Sequence, residues 1–169
     1  SLLEQQDLIA ESYDIDLSLS PLSVVVDMVI KNNGNQPLET IHLSLYRQLN
    51  VTSISVDNEQ IPFKQESDFL KIYPNRDLLS KESITLHIVY SGESSPFYMV
   101  NSQAVYLPAH FHWLPSVDIK PSIVLEDNTL HRSSFEPVKP ALYKVKVKGE
   151  DQIYTNIEQL NNGVYVGKS

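Results

Sequence analysis

The sequence predicts an all-β domain, an antiparallel β-sandwich or a pair of curved, saddle-like sheets built from about eleven short strands. Three observations predict it. Apolar residues recur with period two, as in Tyr13, Ile15, Leu17 and Leu19. Turn-forming clusters such as Asn32-Asn33-Gly34-Asn35 and Asn161-Asn162-Gly163 separate these segments. No segment sustains a helical period long enough for a helix of ordinary length.

Residues 1–10, SLLEQQDLIA, hold good helix formers but no clear cap, and read as a short helix or a lead-in and tether. The β domain is expected over residues 11–169. In ESYDIDLSL, Tyr13, Ile15, Leu17 and Leu19 share one face, while Asp14, Asp16 and Ser18 take the other. Pro21 sits in the following turn. Leu22, Val24, Val26, Met28 and Ile30 then align, with Val25 and Val29 adding apolar surface opposite, which predicts a central strand covered on both faces.

LETIHLSLY points Ile41, Leu43 and Leu45 inward and His42 outward. In LNVTSISV the apolar phase shifts between Val51 and Ile54, which predicts a bulge or a register change. Asp57-Asn58-Glu59-Gln60 reads as a hairpin turn. FLKIY is a short strand, and NRDLLSKE a loop or single helical turn. SITLHIVY aligns Ile84, Leu86, Ile88 and Tyr90 against His87. Beyond Ala104–Pro121, ALYKVKVK alternates Tyr143, Val145 and Val147 with Lys144, Lys146 and Lys148. Those lysines suit a solvated or edge-protecting face, or a contact surface. QIYTNI and GVYVG close the chain as a hairpin around Asn161-Asn162-Gly163.

Length and composition bound the rest. The chain has 169 residues, 41% of them hydrophobic and 20% charged, which suits one globular domain. A net charge of −8 argues against a nucleic-acid partner, which needs a basic footprint. The absence of cysteine removes disulfides, thiolate zinc sites and cysteine nucleophiles, and leaves the compartment open. No apolar run reaches the roughly 18 residues of a membrane-spanning helix. The chain opens without Met and ends in GVYVGKS just after an apparent strand, so an excised domain of a longer protein is expected.

Chemistry-bearing residues concentrate in AVYLPAHFHWLPSVDIKP, which holds the single Trp. His110 and His112 share one strand face and are a possible metal pair, with Asp118 or His131 as a third ligand. The simpler reading is two polar positions on a half-buried strand, because nothing else completes a ligand spacing. No metal and no cofactor is therefore expected. There is no H-E-x-x-H, G-x-S-x-G, P-loop or G-x-G-x-x-G pattern. The carboxylate pairs Asp14/Asp16 and Glu126/Asp127 read as solvated surface. Trp113, with Tyr98, Tyr106 and Phe111, fills a core, seals a domain junction or, if exposed, offers a carbohydrate- or peptide-binding platform.

From Tyr13 onward, the order of features resembles the N-terminal β domain of the M1 aminopeptidase family, the gluzincin zinc peptidases. The resemblance runs through Tyr13-Asp14-Ile15-Asp16-Leu17, the strand leading to Asn32-Asn33, and Pro37–Leu45. It continues through Val51–Val56, Leu70–Tyr73, Asp77-Leu78-Leu79 and Ile84–Gly92. Trp113-Leu114-Pro115-Ser116-Val117-Asp118 resembles the family's Pro-x-x-Asp segment, and Ala141–Val147 the strand after it. Against the family pattern, His110-Phe111-His112 replaces an Arg pair, Pro121 comes one residue late, and Ile119–Pro140 reads as an insertion. Gln103 falls where the family places a Gln or Glu that holds a peptide's amino terminus, but the acidic residue often found two positions later is Val105. The family's zinc and exopeptidase motifs belong to its second domain and are absent here.

His112-Trp113-Leu114-Pro115 is also similar to the short version of this segment in M1-like domains of bacterial permease-like membrane proteins, often described as ABC-2-type. That resemblance implies a non-catalytic extracytoplasmic module on a bacterial cell membrane. It would act through contact with a peptide or protein and with its parent chain's transmembrane domains. The alternative is the substrate-side N-terminal domain of a zinc aminopeptidase, cytoplasmic or not, whose catalytic domain lies downstream. Gln103, His110, His112, Trp113 and Asp118 are the candidate ligand or interface residues.

Overall fold

Alternating side chains produce a β architecture with no helix among the described residues. In this computed structural model the described residues are 6–19, 21–93, 98–101, 104–108, 113–117, 141–148, 153–160 and 163–168. Their order is β1 (Leu8–Leu19), β2 (Leu22–Asn32), β3 (Ile41–Ser44), β4 (Leu49–Val56), β5 (Glu59–Gln60), β6 (Phe63–Glu66) and β7 (Phe69–Ile72). Then come β8 (Ser83–Gly92), β9 (Tyr98–Asn101), β10 (Ala104–Pro108), β11 (Leu142–Lys148), β12 (Ile153–Leu160) and β13 (Gly163–Lys168). Ten strands form one sheet in the order β5-β4-β8-β2-β1-β11-β12-β13-β10-β9, and β3-β7-β6 form a second. The pairings between these strands are antiparallel except β1 with β11, which is parallel and makes the large sheet mixed.

The core follows the predicted faces. Ile15, Leu17, Val24, Val26, Met28 and Ile30 on the large sheet join Ile41, Leu43, Leu70 and Ile72 of the small one in a single buried cluster. Each such side chain contributes about 1.5–3 kcal/mol when fully removed from water. β2 is central, as predicted, but Val25 and Val29 on its other face are only half-buried. β1 begins at Leu8, inside the segment read as a lead-in, and Leu8, Ile9 and Ala10 pair with Asn32, Lys31 and Ile30. A register shift between Ala10 and Ser12 interrupts the period and hides this extension in the sequence.

The predicted phase change in β4 is a bulge at Thr52. Val51 pairs with Tyr90 and Ser53 with Val89, and the Thr52 hydroxyl donates to the Val89 carbonyl at 3.1 Å. Val51 and Ile54 are thereby both buried. Asp57 and Asn58, at φ 51° and 64°, form the β4–β5 turn, where two positive φ angles match the twist of the flanking strands. Ser67, at φ 53°, starts the β6–β7 turn.

The edge of β4 beyond the short β5 is covered by a side chain. Gln65 on β6 accepts from the Val51 amide at 3.1 Å and donates to the Leu49 carbonyl at 2.6 Å. One carboxamide thus takes the place of a neighbouring strand and ties the two sheets together. Asn32, 1% exposed, does the same for two loops. Its Nδ2 donates to the carbonyls of Gln36 (2.8 Å) and Leu78 (3.1 Å), and its Oδ1 accepts from the Gly34 amide at 3.0 Å.

Candidate functional site

Within the chemistry-bearing stretch, residues 113–117 are described in full, and they form a strap between the two sheets. Tyr90, reaching inward from the central strand β8, donates its hydroxyl to the Trp113 carbonyl at 2.6 Å. Tyr13, from β1, donates to the Pro115 carbonyl at 2.7 Å. On the opposite side, the amide of Ser44 at the end of β3 donates to the Ser116 carbonyl at 2.8 Å, and the Ser116 amide returns a bond to Ser44 at 2.9 Å. The segment is therefore fastened to β1 and β8 by phenols and to β3 by backbone.

The aromatic residues have the chemistry for this. A tyrosine carries a large apolar body and one polar tip, so a buried one needs an acceptor at that tip. Burial pushes the Tyr90 hydroxyl well above the ordinary tyrosine range, with a smaller contribution from Tyr13, so it remains a proton donor at any physiological pH. Tyr13 is stacked on Tyr143 of β11 with ring centres 5.1 Å apart and planes 6° from parallel. Trp113 is 5% exposed and belongs to the core cluster. An exposed indole platform for sugars or peptides is thereby overturned: the ring faces protein rather than solvent.

Gln103, His110, His112 and Asp118, together with His131, lie outside the described residues. Among the described residues no three His, Asp or Glu side chains converge in a way that would hold a metal ion. Tyr13 and Tyr90 were legible only as inward members of strands. Their signal is that each places a polar tip at a buried position, which demands a partner distant in sequence.

Among the described residues, other polar groupings lie apart from the strap. On the outer face of the large sheet, cross-strand pairing brings His87, Asp27, Asp14 and Lys144 into one row over β8, β2, β1 and β11. His87 Nδ1 lies 2.7 Å from Asp27 Oδ1, but both side chains are nearly half-exposed, and such surface pairs are worth little. The β11 lysines face solvent from an interior strand, with Lys144 beside Asp14 and Lys146 beside Asp16, so they do not protect an edge. Elsewhere a cavity of about 180 Å³ opens between the β4–β5 turn and residues 74–84, where Arg76 is already engaged by Glu82 at 2.8 Å.

Comparison with solved structures fixes the fold. The M1 zinc metallopeptidase of Deinococcus radiodurans superimposes on 95% of this chain with a TM-score of 0.61 at 18% identity. The fold is that of the N-terminal domain of M1 zinc aminopeptidases. Legionella pneumophila aminopeptidase A (TM-score 0.57, 13% identity, 95% of this chain) and yeast LTA4 hydrolase (0.54, 13%, 96%) give the same match. This chain spans 38% of the Deinococcus enzyme's length, 19% of the Legionella enzyme's and 26% of the yeast enzyme's. No protein-family model matches the sequence. No curated protein matches it either. No helix among the described residues is long and apolar enough to cross a membrane.

Proposed function

We propose that this chain is the substrate-side N-terminal domain of an M1-type zinc aminopeptidase, non-catalytic by itself, whose catalytic domain lies downstream in the parent polypeptide. The observation that carries the reading is the match of 95% of the chain to an M1 zinc metallopeptidase at a TM-score of 0.61. The order of sequence features from Tyr13 to Val147 supports the same assignment independently of the coordinates. In this role the domain walls one side of the peptide-binding cleft, and Gln103 holds the amino terminus of the peptide.

The test is made on the parent polypeptide. It should bind zinc stoichiometrically and hydrolyse aminoacyl-naphthylamides. Gln103→Ala should raise KM about tenfold, the worth of one hydrogen bond to a charged group. A parent that binds no zinc and cleaves no such substrate refutes the reading. That result favours the reading motivated by His112-Trp113-Leu114-Pro115: a non-catalytic extracytoplasmic module of a bacterial permease-like membrane protein, acting by contact.

A further inference from the structure

We infer that Tyr13 and Tyr90 are positioning residues, whose hydroxyls set the placement of the Trp113–Ser116 strap relative to the two sheets. What the strap positions for, a peptide-facing wall, rests on the functional reading above; that the phenols place it does not.

The geometry supports positioning over simple filling. Both rings belong to the buried core and would pack equally well as phenylalanine, so packing alone leaves the hydroxyls unexplained. Each hydroxyl is spent on a main-chain carbonyl of the strap, at 2.6 Å and 2.7 Å, rather than on a side chain that could be remodelled. The two acceptors, Trp113 and Pro115, are two residues apart, so the bonds fix both the height and the direction of the segment. The Ser44–Ser116 backbone pair then defines the other side. Tyr13 is further held by its stack on Tyr143, which joins β11 to the same arrangement.

The test uses hydrogen exchange and the fluorescence of Trp113, the sole tryptophan. Tyr90→Phe and Tyr13→Phe are made separately in this chain, so that one variant remains should the other fail to fold. Each removes one hydroxyl and keeps the ring. The expected result is exchange about tenfold faster at the Ser116 amide, which bonds to Ser44, the scale of a buried carbonyl left without its donor. Val26 and Ile88, in the central strands, should accelerate by no more than the global loss of stability read by urea unfolding, and Trp113 emission should shift to the red. Unchanged Trp113 emission, or no acceleration at the Ser116 amide, overturns the inference, because the hydroxyls then serve general stability or nothing. In the parent polypeptide the same variants should raise KM for peptides and leave kcat within about twofold. A loss confined to kcat also overturns the inference. A wild-type parent without peptidase activity refutes only the functional reading and leaves the exchange result to decide the role of the phenols.

Discussion

Replacing Asn32 by Asp should make the stability of this chain newly dependent on pH. Asn32 is 1% exposed, and its amide nitrogen donates to two carbonyls, of Gln36 and Leu78. Aspartate has nearly the same shape but, when ionised, only accepts, so both carbonyls would face a buried negative charge. Protonated, it can donate to one of them. One lost bond and one unsatisfied carbonyl cost about 1–3 kcal/mol together, the deficit expected at low pH. Burial and the facing carbonyls disfavour the charged form, so the folded pKa of the new carboxyl is raised above its unfolded value of about 4. The sign follows: a raised folded pKa means the folded state holds the proton longer. The deficit relative to wild type is therefore smallest below pH 4. It grows by up to about 1.4 kcal/mol per pH unit above that, until the folded pKa is passed. Urea unfolding followed by Trp113 fluorescence at pH 3.5, 5 and 7 measures it, with Asn32→Ala as a pH-independent reference. A deficit for Asn32→Asp that does not change between pH 3.5 and 7 would refute the argument.

Two further substitutions probe the sheet. Gln65→Ala exposes the unpaired edge of β4 at Leu49 and Val51, and should cost about 1–3 kcal/mol in urea unfolding while speeding exchange at the Val51 amide. Unchanged exchange there would mean that β6 does not cover that edge. Ser67→Gly should raise stability by roughly 1 kcal/mol, because glycine adopts φ 53° without the steric cost of a Cβ. A lower melting temperature would show that the Ser67 side chain contributes more than its backbone conformation costs.

Much of the fold was legible because burial imposes period two on each strand. The slip between Val51 and Ile54 was readable for the same reason: a bulge is the one device that changes phase without ending a strand. A bulge also concealed the start of β1, since the break at Glu11 makes Leu8–Ala10 look unrelated to Tyr13–Leu19. Apolar content misled at Val25 and Val29, where a half-exposed sheet face accepts β-branched residues for their backbone preference. The parallel pairing of β1 with β11 was not readable, because many strands offer the same alternation and nothing local selects the partner. The strap was visible as a concentration of Trp, His and Pro, but its fastening was not. Tyr13 lies 102 positions from Pro115, and no periodicity reports a contact across that distance. For the candidate site, sequence therefore located the segment, and the coordinates supplied the groups that hold it.

The parallel β1–β11 pair also orders events during synthesis. At 5–20 residues per second, residues 142–148 leave the ribosome roughly 6 to 25 s after β1 is complete. β2, itself backed by β8, can cover one side of β1 early, but the other side of β1 then waits as a row of unsatisfied amides and carbonyls, open to any stray strand. Asp14 and Asp16 stand on the exposed face of that strand. In the finished sheet they sit beside Lys144 and Lys146; in the nascent chain they are unopposed charges that repel a second copy in the same state. Carboxylates at these positions suit both stages: like charges oppose self-association of an open edge, and in the finished sheet they neighbour the lysines of β11.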